Sequence, residues 1–482
     1  MKVLFVASEG VPFVKTGGLA DVIGSLPREL IKQGVDARVI LPKYGDIPIS
    51  FREKMTYLNH FQVPLSWRNL YCGIERLEYD GVTFYFIDNE FYFKRQGLYG
   101  FMDEAERFAF FSRAVLAALP RLAFLPDIIH CHDWHTGMIS VFLRSQYQND
   151  PFYTDIKTAF TIHNLQYQGV FPGSILGDVL GLGREHFGLD GIEFHGQVSF
   201  MKGGVNYSDL ITTVSATYAE EIQRPEYGER LDGLFRHKKK NLHGILNGID
   251  VEYYNPANDS CICKKFSYES IDDKQDNKEN LQRIVGLPIR RDIPVLAMVS
   301  RLVSQKGMQL IKDILEDMLA MDIQLVVLGT GDRYYEDMFR DAAWRFPDKV
   351  SANILFGNTL AHQIYAGSDI YLMPSVFEPC GLSQLIALRY GSIPLVRETG
   401  GLIDSIKPYN EYTGEGNGFS FTHLNGHDFL YTLKRAIGFY YQKDIWSKIT
   451  TNAMQCDFSW YKSAQKYQDL YKKLMYKQQI GG

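Results

Sequence analysis

Short apolar runs alternate with amphipathic segments along the first half of the chain, and this alternation constrains the fold more than any other feature. KVLFVAS has the pattern of a buried strand, and GLADVIGSLPRELIKQG that of a helix, with apolar residues three and four apart and a closing glycine, Gly34. Strands that alternate with helices form parallel sheets with helices on both faces. The sequence therefore predicts an α/β, doubly wound fold.

The same pattern continues towards the middle of the chain. LEYDGVTFYFIDN predicts a β-hairpin around Asp80 and Gly81, whose residue types favour a two-residue turn. PDIIHCHDWHTG and IKTAFTIHN predict strands that end in polar residues. Along the first of these strands, side chains alternate between faces, so His130 and His132 share one face and His135 lies on the other.

The strand and helix pattern restarts in the second half, which predicts a second doubly wound domain. IPVLAMVSR, IQLVVLGTGD, NILFGN, DIYLMPS and IPLVRE are its predicted strands. A polar, weakly periodic segment, NPANDSCICKKFSYESIDDKQDNKEN, precedes it. We expect domains at residues 1–247 and 248–455, and a C-terminal helix at 456–482 that packs back on the first domain.

Charge and hydropathy exclude two classes of partner. The formal net charge is −5 and the pI is about 6.2, whereas a nucleic-acid-binding protein would be basic. No window approaches about 20 uninterrupted apolar residues, so we expect no membrane span. The N-terminus lacks the pattern of a signal peptide, so we expect a cytoplasmic protein, or a plastid one if the source is a plant. The oligomeric state stays open.

The cysteines and histidines do not indicate a metal site. The 6 cysteines form no regular framework, and Cys261 and Cys263 make a C-x-C pair with no second pair near it. Reduced thiols in a cytosolic protein fit this distribution. The three histidines of HCHDWHTG are divided between two faces of the strand. We therefore expect no bound metal.

Polar residues at the strand exits are the candidate ligand contacts, because open parallel sheets bind ligands beyond the carboxyl ends of their strands. Glycines 17 and 18 let a backbone approach a ligand, and the helix that begins there offers free N–H groups. A tight strand–helix turn explains the glycines equally well. The candidates of the first half are Lys15, Thr16, Gly17, Gly18, Asp21, Asp133, His135, His163 and Asn164.

The second half has a more specific set of such residues. Arg301 and Lys306 in SRLVSQKG place two cations at a strand exit, which suits a diphosphate. In PSVFEPCGLSQLIALRYG, Glu378 follows a strand and Gly381 opens a predicted helix whose N-terminal amides suit phosphate. There is an alternative in which these residues bind no ligand. Arg301 and Lys306 would then be surface cations, and His163 would be a structural histidine.

Eight strings carry a resemblance over nearly the whole chain. In order they are KTGGLADV, HDWHTG, TIHNLQYQG, TVSATYAEEI, GILNGID, SRLVSQKG, PSVFEPCGLSQL and TGGL. With them the chain resembles the bacterial glycogen synthases and plant starch synthases. KTGGLADV and EPCGLSQL are highly specific to that family. The resemblance implies the α/β GT-B fold, in which two Rossmann-like domains face each other across a deep cleft.

The resemblance also implies an activity. Enzymes of this family transfer glucose from ADP-glucose to the non-reducing end of an α-1,4-glucan, glycogen or a malto-oligosaccharide, with retention of configuration. It implies no cofactor and no metal. Arg301 and Lys306 match the diphosphate-binding pair, Glu378 the carboxylate beside the donor glucose, and His163 a residue near the glucose hydroxyls. These four are the predicted catalytic residues.

The remaining site residues are carried over from the same resemblance as substrate contacts. Lys15, Thr16, Gly17, Gly18 and Asp21 form the nucleotide-sugar loop. The further matches are Tyr99 in the donor cleft, Asn247 near the glucose hydroxyls, Phe356, Gly357 and Asn358 at the base-binding strand end, and Cys380, Gly381 and Leu382 as backbone donors to the sugar.

Four other interpretations remain open at this point. The donor could be UDP-glucose, or the chain could be another GT-B enzyme such as a glucan phosphorylase, which would need lysine-linked pyridoxal phosphate. A nicotinamide-linked oxidoreductase would need G-x-G-x-x-G after a strand, and GTGD lacks the third glycine. A catalytically silent glucan-binding protein would not keep Lys15, Arg301, Lys306 and Glu378 together.

Overall fold

The structure, a computed structural model, describes the backbone of residues 1–480 and the side chains up to Tyr476. The chain divides into two compact units. The first contains Met1–Asn247 and the helix that begins at Trp460, and the second contains Gly248–Ser459. The second unit extends four residues beyond the predicted boundary at 455. Residues 481–482 of the predicted C-terminal helix lie outside the described residues.

Strands of the first unit form two sheets. Over the described residues, the larger sheet has nine strands in the order β12-β11-β7-β6-β1-β2-β5-β4-β3. A small antiparallel sheet has the order β8-β10-β9. The strands are β1 (Lys2–Val6), β2 (Asp36–Pro42), β3 (Thr56–Leu65), β4 (Arg68–Tyr79), β5 (Val82–Asp88), β6 (Ile128–His132), β7 (Lys157–Ile162), β8 (Val170–Pro172), β9 (Glu193–Phe194), β10 (Gln197–Ser199), β11 (Leu210–Thr213) and β12 (Leu242–Gly244).

The second unit contains one parallel sheet. Within the part of the chain that the structure describes, it has six strands in the order β15-β14-β13-β16-β17-β18. They are β13 (Val295–Val299), β14 (Gln324–Leu328), β15 (Val350–Asn353), β16 (Ile370–Met373), β17 (Ile393–Arg397) and β18 (Phe419–Phe421). Its two central strands have the sequences VLAMV and IYLM, and nearly every residue in them is buried, as in a sheet covered on both faces.

Helices connect these strands in both units. In chain order the α-helices are α1 (Gly18–Lys32), α2 (Ile49–Arg52), α3 (Glu90–Phe93), α4 (Glu104–Ala118), α5 (Gly137–Ser145), α6 (Ile175–Asp178), α7 (Phe200–Tyr207), α8 (Ala216–Glu221), α9 (Asp232–His237), α10 (Lys274–Ile284), α11 (Met308–Ala320), α12 (Arg333–Arg345), α13 (Asn358–Gly367), α14 (Ser383–Arg389), α15 (Gly400–Ser405), α16 (Gly426–Tyr440), α17 (Lys443–Met454) and α18 (Trp460–Ile480).

Two local predictions are confirmed and one is wrong. The hairpin turn lies at Asp80 and Gly81, whose φ angles of 47° and 75° fit the left-handed turn that the residue types favour. His130 and His132 share a face of β6, with ring centroids 4.2 Å apart. The strand predicted over NILFGN is instead β15, which ends at Asn353 because its pairing with β14 stops at Leu328.

The helix α18 belongs to the core of the first unit. Trp460, Ala464 and Tyr467 are buried among the side chains of that unit. The amide of Gln468 donates a hydrogen bond to the Gln33 carbonyl at 3.0 Å, at the end of α1. The helix α18 therefore covers part of the large sheet to which β1 belongs.

Candidate active site

Each of the two large sheets has a parallel part in which the strand order reverses. In the first unit, β1 pairs with β2 on one side and with β6 on the other. In the second unit, β13 lies between β14 and β16 in the same way. Ligands of open α/β sheets bind beyond the carboxyl ends of the strands at such reversal points. The loops after β1, β6, β13 and β16 are therefore the candidate sites.

The loop after β1 is anchored by a buried carboxylate. Glu9, only 3% exposed, accepts hydrogen bonds from the backbone amide and the hydroxyl of Thr16, the latter at 2.8 Å. Burial raises the pKa of Glu9 to about 7, against the lowering effect of these hydrogen bonds. Lys15 Nζ lies 2.7 Å from Asp21 Oδ1, so the lysine charge is already paired.

Tyr99 lies beside this loop. Its hydroxyl is 2.7 Å from Ser8 Oγ at the end of β1, and its ring contacts the His135 ring at a centroid distance of 4.7 Å. Burial raises the pKa of Tyr99 well above its usual value. The hydroxyl is therefore neutral, and the predicted cleft aromatic lies near the carboxyl end of β1.

The loops after β6 and β7 bring a carboxylate and an imidazole together. Asp133 Oδ1 accepts a hydrogen bond from the backbone N–H of His163 at 2.7 Å. Burial raises the pKa of Asp133 to about 7, although backbone hydrogen bonds from His163 and Asn164 lower it. Burial lowers the pKa of His163 to about 3, so its imidazole is neutral near pH 7.

A chain of buried rings connects His163 with α18. His163 Nε2 lies 2.9 Å from His132 Nδ1, and the His132 ring contacts the His130 ring at an interplanar angle of 34°. His130 Nδ1 lies 2.7 Å from the Tyr471 hydroxyl, and His130 Nε2 lies 2.6 Å from the hydroxyl of Thr161. Burial lowers the pKa of His130 to about 3. These contacts hold His163 in one orientation, and its Nδ1 makes no hydrogen bond within the described residues.

Asn247 lies after β12, at the end of the first unit. It is 4% exposed, and its Oδ1 is buried and accepts no hydrogen bond from any residue that the structure describes. A buried amide oxygen without a donor costs free energy unless something else supplies one. Asn247 therefore keeps an unused acceptor.

The strand exits of the second unit carry an ion pair. Lys306 Nζ donates to Glu378 Oε2 at 2.6 Å, and the Ser375 hydroxyl donates to the same oxygen at 3.1 Å. Lys306 follows β13 and Glu378 follows β16, so the pair bridges the reversal point. The Arg301 side chain is exposed and makes no ion pair or hydrogen bond within the described part of the chain.

Close backbone packing holds the Glu378 turn in place. Gly307 has φ +76°, and a Cβ there would lie 2.0 Å from the Pro374 carbonyl oxygen. Gly400, with φ +45°, would place a Cβ 2.0 Å from the Glu378 carbonyl oxygen. The amide of Gly401 donates to that same carbonyl at 3.1 Å. Larger residues at these three positions would displace the turn that carries Glu378.

The turn at 380–382 is rigid, but the helix after it is short. Gly381 has φ +71°, which favours glycine. The Gln384 amide donates to the Cys380 and Gly381 carbonyls at 3.0 and 2.9 Å. The helix α14 begins only at Ser383 and has seven residues. The predicted phosphate-binding helix N-terminus at Gly381 is therefore wrong in its bounds, and Leu382 is the N-cap.

The predicted base-binding residues lie between β15 and α13 rather than at a strand end. Phe356 is 89% exposed, and Asn358 begins α13. The Asn358 amide donates to the Tyr253 hydroxyl at 2.6 Å. Sequence reasoning missed Glu9, Ser375 and the supporting His132. A glutamate three residues after an apolar strand, in the string FVASEG, was an available signal for Glu9.

No helix among the described residues is long and apolar enough to cross a membrane.

Two family models match the chain. Starch synthase catalytic domain matches residues 2–237, and Glycosyl transferases group 1 matches residues 282–436. The two matches correspond to the two units and contain both reversal points. The fold and the site therefore define the chain as a glycosyltransferase.

Curated relatives and a solved structure identify the family. The chain is 75% identical over 476 residues to the glycogen synthase of Desulforamulus reducens, with 99% of both chains covered. It is 56% identical over 479 residues to the glycogen synthase of Geobacillus thermodenitrificans, again with 99% of each covered. The chain belongs to the glycogen synthase family.

A solved relative confirms the fold class. The catalytic domain of starch synthase IV from Arabidopsis thaliana, bound to ADP and acarbose, matches with a TM-score of 0.91 and 34% identity. The match covers 98% of this chain and 99% of that one. This match confirms the predicted fold of two Rossmann-like units of the GT-B type.

Proposed function

We propose that the chain transfers glucose from ADP-glucose to the non-reducing end of an α-1,4-glucan, with retention of the α configuration. One observation carries this proposal. The ion pair of Lys306 and Glu378 spans the reversal point of the second sheet, and the exposed Arg301 follows the same strand as Lys306. Positive charge for a diphosphate and a carboxylate for sugar hydroxyls are thus present at one sheet edge.

The donor binds to the second unit in this proposal. Arg301 and Lys306 contact the diphosphate, and Glu378 accepts hydrogen bonds from the glucose. The amides at 380–382 donate to the sugar, and residues 356–358 contact the base. Since Lys306 and Glu378 neutralise each other before the donor arrives, neither leaves an unpaired charge in a partly buried site. The related starch synthase IV structure contains ADP, which supports an adenine nucleotide.

The first unit contributes the acceptor side and completes the donor site. Lys15, Thr16, Gly17, Gly18 and Asp21 form the loop that approaches the donor. A Cβ at Gly17 would meet only Glu9 Oε1 at 3.8 Å, an ordinary contact, and its φ of −155° is extended. Nothing within the described residues therefore requires glycine at 17. A closely approaching ligand does.

Neutral hydrogen-bonding groups suit the sugar in the first unit. His163 has a neutral imidazole with one nitrogen available, and Asn247 has an unused buried oxygen. Tyr99 adds a neutral aromatic surface at the same sheet edge.

The transfer proceeds on one face of the sugar in this proposal. The bond between the anomeric carbon and the ADP oxygen breaks as the acceptor 4-hydroxyl forms the new glycosidic bond on the same face. The departing phosphate accepts the hydroxyl proton. Arg301 and Lys306 stabilise the negative charge on ADP, and the transition state resembles an oxocarbenium ion.

A radiolabel assay tests the whole proposal. Purified protein is incubated with glycogen and either ADP-glucose or UDP-glucose, with a chelator present, and label in polymer is counted. We expect incorporation from ADP-glucose, complete release of that label by an enzyme specific for α-1,4 bonds, and little incorporation from UDP-glucose. Preferred use of UDP-glucose would refute the donor assignment. Label that the α-specific enzyme leaves in the polymer would refute retention.

A further inference from the structure

A cavity in the second unit lies apart from the proposed transfer site. It has a volume of about 480 Å³, and all the residues that line it belong to the second unit. Ligand pockets of proteins usually measure about 300 to 1,000 Å³. None of the predicted site residues lines this cavity. Its apolar wall is formed by Ile249, Val251, Leu385, Met454 and Phe458.

The cavity also contains an arginine without a partner. Arg389 lies in the last turn of α14 and is partly buried. Its Nε is buried and has no hydrogen-bond partner, and its guanidinium makes no ion pair with any residue that the structure describes. A buried donor on a charged group that lacks an acceptor costs free energy and is uncommon in folded proteins. Arg389 therefore has unused donors at the wall of the cavity.

The end of α14 does not explain this arginine. A cation in the last turn of a helix can bond the free carbonyls there. In α14, the amides of Gly391 and Ser392 already donate to two of these carbonyls. Lys274 Nζ donates to the Tyr390 carbonyl at 3.0 Å, so a cation is present at this helix end without Arg389.

The carboxylate in the lining does not neutralise the arginine. Asp457 is exposed, and its Oδ1 accepts a hydrogen bond from the Ser459 amide at 3.0 Å. Water and salt screen the charge of an exposed carboxylate. Because Asp457 forms no ion pair with Arg389, the guanidinium remains available to another anion.

The chemistry of the wall indicates the class of ligand. A guanidinium binds a carboxylate or a phosphate through two parallel N–H bonds. The five apolar side chains beside it suit an apolar group attached to that anion. We propose that the cavity binds one small organic anion per chain, with its carboxylate or phosphate on Arg389 and its apolar part against Leu385, Met454 and Phe458.

The ligand contacts three segments of the second unit. These are α14, the segment of Ile249 and Val251, and the segment from Met454 to Ser459. The last two are joined by a hydrogen bond of 2.9 Å from the Ile249 amide to the Phe458 carbonyl. They are also the two ends of this unit, which begins at Gly248 and ends at Ser459. The proposed role of the ligand is to hold both ends against α14, and this does not depend on the transfer reaction.

Fluorine NMR of the full chain tests the site. The protein is titrated, with ADP present, with para-trifluoromethyl benzoate, with the phosphate monoester of para-trifluoromethyl phenol, and with para-trifluoromethyl benzamide as the neutral control. At least one anion is expected to saturate at one molecule per chain, and the amide to bind at least about tenfold more weakly. The anion that binds more tightly identifies the charged group that the cavity prefers.

Variants of two arginines locate the binding. Arg389→Met is expected to weaken binding of the anion at least about tenfold. Arg283→Met, at an exposed position of α10, is the matched control and should leave binding unchanged. The proposal is overturned if neither anion saturates below about 10 mM, if the amide binds as tightly as the anions, or if Arg389→Met binds like wild type.

A second measurement needs no variant and so does not depend on the folding of one. Hydrogen exchange of the wild type is followed by mass spectrometry with and without the anion that binds. The anion is expected to slow exchange at least about threefold in residues 249–251 and 454–459, and to leave α12 unchanged. Exchange that stays the same in both segments would mean that the anion binds elsewhere and would overturn the proposal.

Discussion

The strand order reverses at one point in each of the two large sheets, and the carboxyl edges at these two points differ in their chemistry. In the first unit, burial raises the pKa of Glu9 and of Asp133 to about 7 and lowers that of His163 to about 3. In the second unit, Lys306 pairs with Glu378 and the Arg301 side chain faces solvent. Apart from the ion pair of Lys15 and Asp21, the first edge has groups whose neutral forms are favoured by burial, whereas the second edge has an ion pair and an exposed guanidinium.

This difference fits the two ligands of the proposed function. Burial penalises the charged form of any group, so an enclosed edge offers neutral donors and acceptors, which suit sugar hydroxyls. Paired and exposed charges suit a diphosphate, whose own charge replaces the internal partner. This difference supports the proposal that the anionic part of the donor binds to the second unit.

The largest expected effect comes from breaking the ion pair. Lys306→Ala and Glu378→Gln are each expected to lower kcat about 100- to 1,000-fold, because charge that stabilises the transition state is lost. The kcat of each variant is measured by steady-state kinetics with ADP-glucose. Glu398→Gln is the matched control, since Glu398 follows the neighbouring β17 and binds Ser420 and Thr422. If Glu378→Gln lowers kcat no more than Glu398→Gln does, Glu378 has no catalytic role.

The neutral imidazole predicts a smaller loss with a particular pH dependence. His163→Ala is expected to lower kcat/KM about 10- to 100-fold, the cost of one buried hydrogen bond. Because the pKa of His163 is about 3, the ratio of wild type to variant should stay constant from pH 5 to 8. A ratio that falls as the pH drops from 7 to 6 would mean that the imidazole titrates there. His60→Ala, on strand β3, is the control.

Glu9 predicts a pH-dependent stability. Its pKa rises from 4.5 to about 7 on folding, so stability present below pH 4.5 is lost as the pH rises through about 7. Glu9→Gln removes this dependence. The unfolding free energy of the variant relative to wild type should therefore increase by up to about 3 kcal/mol between pH 4.5 and 8. Urea unfolding at several pH values measures it, and a constant difference would contradict the burial of an ionisable Glu9.

Tyr471 predicts the smallest effect. Tyr471→Phe removes the hydrogen bond to His130 from α18 and leaves a buried ring nitrogen unpaired, which should cost about 1 to 2 kcal/mol of stability. The kcat should fall by less than about threefold. Tyr476→Phe, at an exposed position of the same helix, should leave stability within about 0.5 kcal/mol. Equal effects of the two variants would mean that the His130 contact contributes nothing.

Much of the fold could be predicted from periodicity, and its limits have physical causes. The strands β1 and β13 and the helices α1 and α11 follow directly from apolar spacing and glycine signals. The edge strand β3 was not predicted, because seven of its ten residues are exposed and its pairing with β4 depends on the rest of the sheet. The end of β15 could not be predicted either, because it depends on where its partner strand β14 ends.

The site was predictable as a set of strand exits but not as a set of contacts. Parallel topology places the loops of Lys15, Arg301 and Glu378 at reversal points once the strands are known. The pairing of Lys306 with Glu378 needs the packing of Gly307 against Pro374. The role of Glu9 depends on its burial beneath the loop of Thr16, and no local pattern encodes burial.

Binding of ADP to a matched pair of variants tests the contrast between the two edges most directly. Arg301→Met removes a cation at the edge of the second sheet, and Lys15→Met removes one at the edge of the first. By calorimetry we expect Arg301→Met to weaken ADP binding about 10- to 100-fold. Lys15→Met should weaken it less than about threefold. Equal losses, or a larger loss in Lys15→Met, would contradict the assignment of the anion to the second unit.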